Sequence, residues 1–115
     1  MIDFRSLFRG LAQYPRMYVL SDTYLALVSF ISGCDAATGG ELLAGFDTWL
    51  AARSRVHGST SLAWPVVVAA RRWEPILDRD VTIEQIPASL QGEVKEDLMD
   101  LLEQFLREQA FDGPE

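Results

Sequence analysis

From Val94 to Phe105 an apolar side chain returns every third or fourth residue, at Val94, Leu98, Leu101, Leu102 and Phe105. At 3.6 residues per turn these positions share one stripe roughly 100° wide, which has to be buried against other elements. The same spacing recurs upstream: Phe4, Leu7, Phe8 and Leu11; then Tyr24, Leu27, Val28, Ile31 and Cys34; then Leu42, Leu43, Phe46, Trp49 and Leu50. No stretch of useful length alternates with the period of two that a half-buried strand requires. The pattern predicts an all-α fold, a single compact domain of about five helices over residues 1–115, with 111–115 as a frayed tail.

Turn and cap residues divide the chain consistently with this. Asp3 or Ile2 opens the first helix and Tyr14-Pro15 stops it, because Pro15 has no N–H to continue the ladder. Ser21 or Asp22 is the expected cap of the second. Gly39-Gly40 breaks the chain, and Thr38-x-x-Glu41 has capping-box spacing for a third helix that should begin at the Leu42 stripe and end near 53–56. Residues 62–73 are ambiguous. Val66-Val67-Val68 favours a strand, whereas Ala63, Ala69, Ala70 and the length favour a helix, the reading taken here, with Leu62, Val66, Ala69, Ala70 and Trp73 on one side. Pro65 fits such a helix only in its first turn. Thr82-x-x-Gln85 is the expected cap of one short turn before Pro87.

Composition narrows the function classes. A single Cys and a single His provide no disulfide framework and none of the usual zinc spacings, so no metal or cofactor is expected. Cys34 reads as a small buried hydrophobe. His57 lies in a polar loop beside Ser59, Thr60 and Ser61 without a GxSxG elbow, and reads as a solvated loop residue rather than a catalytic base. No catalytic set emerges, and the expectation is a protein that is not an enzyme. The longest stretch without charged residues, 56–70, opens on polar residues and is too short in its apolar part to cross a bilayer; no signal-peptide run follows Met1. The expected address is cytoplasmic, without membrane contact.

The charge is unevenly placed. Twelve carboxylates and three basic residues lie from Glu74 onward, a net −9, whereas the first 73 residues carry +2. Such a balance disfavours nucleic acid, whose binding is driven by Lys and Arg, and favours a cationic protein partner. On the last helix Glu96, Asp100 and Glu103 stand opposite the apolar stripe, with Glu93 and Asp97 nearby. These five, with Trp64 as an aromatic anchor, are the candidate partner-binding residues. Glu103 with Arg107 is the favourable i, i+4 pair on that face. Arg71-Arg72 reads as a weak anion site or as a partner for the acidic end of the same molecule.

A Pro-x-Met-Tyr segment (Pro15, Met17, Tyr18), a helix over Tyr24 to Cys34, Leu43-x-x-Phe46-x-x-Trp49-Leu50, and Leu62-Ala63-Trp64-Pro65 follow in order. Together they resemble small bacterial proteins, some of them similar to immunity proteins of polymorphic or contact-dependent toxin systems. The resemblance covers residues 14–73 and transfers no catalytic residue. It implies a protein that binds and neutralises a cognate toxin domain, and the charge adds that this domain is basic, such as a nuclease. The acidic helix lies outside the matched stretch, so its assignment as the contact rests on charge. The alternative is a helical scaffold protein whose partner is a second copy of itself.

Overall fold

The apolar stripe near the C-terminus belongs to the longest helix of the computed structural model, which describes residues 2–53 and 63–111. Among the described residues five α-helices follow in order: α1 (Phe4–Gln13), α2 (Tyr24–Ala37), α3 (Phe46–Arg53), α4 (Trp64–Ala70) and α5 (Ala88–Phe111). Short 310 turns stand at Pro15–Met17, Glu74–Leu77 and Ile83–Gln85, and the described residues contain no strand. The all-helical reading is therefore correct. So is the helical choice for the Val-rich segment, where Pro65 takes its place in the first turn.

The 24 residues of α5 extend about 36 Å at 1.5 Å per residue. Val94, Leu98, Leu101, Leu102 and Phe105 are all buried, as their spacing requires. Helices α1, α2 and α4 lie against α5 directly. Phe8 and Leu11 come from α1, Leu27, Val28 and Ile31 from α2, and Val67, Val68 and Ala69 from α4. From α3, Phe46 meets Phe105 with ring centroids 4.9 Å apart, and Trp49 meets the same ring edge-on at 5.6 Å. Phe46 also touches Trp49 and Trp64, so four aromatic rings close one end of the core.

Local chemistry explains where the elements depart from expectation. Asp3 does cap α1, its carboxylate accepting from the Ser6 N–H at 3.2 Å. The cap of α2 is Thr23, not Ser21 or Asp22: its hydroxyl accepts from Ala26 N–H, and Gln91 accepts from Tyr24 N–H. Asp22 is instead tied to Lys95 of α5 at 2.6 Å. Helix α3 begins at Phe46 rather than Leu42, because Gly45 adopts φ 86°, a left-handed conformation no continuous helix contains. Thr38 accepts from Leu42 N–H and Asp35 from Leu43 N–H, which holds the intervening turn. Helix α4 buries three consecutive residues, Val67, Val68 and Ala69, instead of the single face expected. It is only seven residues long and meets α3, α5 and two 310 turns, so it is covered on several sides. Trp73 lies beyond its end, half-buried against the core. The Thr82–Gln85 cap is present, Gln85 Oε1 accepting from Thr82 N–H at 2.8 Å. Helix α5 includes Phe111, which the sequence placed in the tail; Leu62 and residues 112–115 lie outside the described residues.

Between α1 and α2 the chain is held by Tyr18, whose ring meets Phe30 edge-on at 6.0 Å while its hydroxyl lies over Gly10. A Cβ at position 10 would come within 2.5 Å of that hydroxyl. Gly10→Ala should therefore fail to give the roughly 1 kcal/mol that removing a helical glycine ordinarily contributes. In a Tyr18→Leu background the same change should give it, which paired urea titrations would show; equal effects in both backgrounds would discount the contact.

Candidate partner-binding surface

The acidic helix is mostly neutralised from within. Asp97, with a side chain only 12 % exposed, accepts from Arg72 Nε at 2.9 Å and Nη2 at 3.1 Å, and Arg71 approaches at 3.9 Å. Arg72 also reaches Glu93 at 3.3 Å. Glu103 receives Arg5 at 2.9 Å and Arg9 at 3.5 Å. Glu108 accepts from the Trp49 indole at 2.8 Å and from Arg53, whose guanidinium also lies 3.9 Å above the Trp49 ring. The basic first part of the chain is thus largely the counter-charge of the acidic last part, and Arg71-Arg72 is the intramolecular partner rather than an anion site.

Three of the five carboxylates proposed from sequence, Glu93, Asp97 and Glu103, are consequently occupied by arginines of the same molecule. The i, i+4 pair of Glu103 with Arg107 gives way to Arg5 and Arg9, which α1 brings alongside. Trp64 does not stand out as an anchor either: it is half-buried, its ring 5.7 Å from that of Phe46. Glu96 and Asp100 remain. Both are exposed, and neither forms an ion pair among the described residues.

These two border a groove that sequence reasoning missed. One depression of about 460 Å³ lies between α1, the Pro15–Met17 turn and α5, with Leu11, Ala12, Pro15, Leu27 and Met99 in its lining. A second of about 370 Å³, lined by Phe8, Gln13 and Glu103, shares Ala12, Met99 and Asp100 with the first. The two form one trough along the α1–α5 seam, with Met99 in the middle and Glu96 and Asp100 on its edge. Its ends are closed electrostatically by Lys95–Asp22 and by Glu103–Arg5–Arg9. Beside it, the segment after α1 exposes Tyr14 (56 %), Met17 (78 %) and Leu20 (99 %). The Tyr14-Pro15 stop was visible in the sequence, but not that its neighbours would remain uncovered.

The hydrogen bond from Arg5, with the nearby charges of Arg5 and Arg9, holds the Glu103 carboxyl below the usual glutamate range. A carboxyl depressed in the folded state stabilises it above the unfolded-state pKa of about 4.3 and loses that contribution as pH falls through the folded value. Stability should therefore decline on acidification below about pH 4.3, and less steeply in Glu103→Gln. Urea midpoints measured across this range check it; parallel curves would remove Glu103 from the acid response. Cys34 is half-buried at the edge of the core rather than inside it, and this partial burial raises its thiol above the ordinary value, the opposite of what a reactive thiolate needs. His57 and its neighbouring hydroxyls lie outside the described residues. No group of three or more His, Cys, Asp or Glu side chains suited to a metal ion occurs among the described residues, and no described helix is long and apolar enough to cross a membrane. Comparison with family models, curated proteins and solved structures finds no match to this chain.

Proposed function

We propose that this chain is an immunity-type binding protein that holds and neutralises a basic toxin domain, such as a nuclease, through the outward acids of α5. The observation that carries the reading is that Glu96 and Asp100 form no ion pair among the described residues, on a helix whose other acids at the α1, α3 and α4 contacts are each met by arginine. Carboxylates in this position attract a cationic partner at long range and stand where nucleic-acid phosphates would otherwise bind it. The motifs of residues 14–73, which resemble small bacterial proteins, some of them similar to immunity proteins, suggest the same class of partner.

The test is recovery of the tagged protein from its native cells at low salt, with mass spectrometry of what co-elutes. A stoichiometric basic partner whose toxicity is suppressed by co-expression is the expected result, with retention falling as salt rises. Recovery of the protein alone would overturn the reading. The exposed Tyr14, Met17 and Leu20 favour a second reading, a homodimer joined through this apolar segment. Light scattering on the purified chain distinguishes them: a concentration-independent dimer that Leu20→Asp dissociates would support the scaffold.

A further inference from the structure

We infer that the trough along the α1–α5 seam seats an amphipathic helix of the partner, with a basic residue at its centre and apolar residues to either side. The inference rests on the binding reading above for the partner's identity, but its geometry is independent of it. From Gly92 to Glu103 the trough follows α5 for about 16 Å at 1.5 Å per residue, the length of three helical turns. A β-strand occupant would need a sheet edge to complete its backbone hydrogen bonds, and the described residues contain no strand. A helix satisfies its own backbone and presents only side chains, which suits a trough about three turns long between helical walls.

The charges along the trough set the order of the occupant's side chains. At one end Lys95 is paired with Asp22, and at the other Arg5 and Arg9 share Glu103, so neither end offers an unmatched carboxylate. Glu96 and Asp100, one turn apart on α5, flank the middle of the trough on either side of Met99. A cation is attracted there, whereas Lys95 and Arg9 disfavour cations at the ends. Apolar side chains of the occupant lie against Ala12, Pro15 and Met99, above a floor of Leu11, Leu27 and Phe8 that the fold already buries. Met99, half-buried, is an unbranched side chain that can re-pack around an incoming group.

The experiment is an amide-shift titration of the full chain with two synthetic twelve-residue peptides of identical Leu, Ala and Arg content. One places Leu and a central Arg on a single helical face; the other scrambles them. Saturable shifts at Ala12, Gly92 and Met99, with at least tenfold weaker binding of the scrambled peptide, are expected. Ala12→Trp fills the trough from an exposed position and should abolish those shifts while the thermal melt stays intact. Equal binding of both peptides, or shifts centred on the acids of residues 74–84, would overturn the proposal. Toxin neutralisation that survives Ala12→Trp would refute the trough and leave the immunity reading in place. Peptide binding in the trough, with no basic toxin recovered from cells, would refute the immunity reading and leave the trough.

Discussion

Phe46→Ala is expected to cost about 4 kcal/mol, the range found when a buried aromatic is truncated and its cavity stays open. Phe46 is fully buried and its ring touches those of Trp49, Trp64 and Phe105 with centroids between 4.9 and 6.0 Å. Three partners contributed by α3, α4 and α5 cannot collapse together onto an alanine without moving all three helices. Since a domain of this size has about 5–15 kcal/mol of total stability, the variant should approach the unfolding threshold. A loss of about 15 °C in melting temperature follows at roughly 4 °C per kcal/mol. Calorimetry checks it, and a change of only a degree or two would mean that this end of the core is looser than the ring geometry implies. Phe46→Leu retains most of the volume and should lose less than half as much.

The stripes that built this core were legible because burial and helical period are properties of one segment at a time. Val94, Leu98, Leu101, Leu102 and Phe105 needed no knowledge of their neighbours to be assigned inward. The start of α3 was not legible on those terms: Leu42 and Leu43 continue the apolar spacing, and only the left-handed Gly45 separates them from the helix. Likewise Thr23, Ser21 and Asp22 are all plausible caps by residue type. What decided among them was Lys95, seventy-three residues further on, which engages Asp22.

The binding surface was legible only in part, for a related reason. Five acids on one helix look equivalent when the helix is read alone. Their difference arises from contacts made at long sequence separation, by Arg5 and Arg9 from α1 and by Arg72 just beyond α4. The uneven charge along the chain is therefore first a folding feature, in which basic early segments are drawn to an acidic late helix, and only its remainder is available to a partner. The apolar trough could not be seen at all, because its two walls come from α1 and α5.

This division predicts opposite outcomes for two charge reversals on the same helix. Glu96→Lys with Asp100→Lys should leave stability within about 0.5 kcal/mol, as exposed positions without partners do. The intrahelical repulsion between acids one turn apart is merely exchanged for repulsion between lysines. Association with a basic partner should nevertheless slow by about two orders of magnitude at low salt, because the steering charge has changed sign where the partner docks. Asp97→Lys with Glu103→Lys carries the same change in net charge but places ammonium groups against Arg72 and Arg5, so it should destabilise the fold by clearly more than the surface range. At temperatures where both variants remain folded, the inward pair should retain more of the association rate than the outward pair. Urea titration paired with stopped-flow or surface-based association rates reads both quantities. If the two double variants slowed binding equally, net charge alone would explain recognition and the outward acids of α5 would have no special part in it.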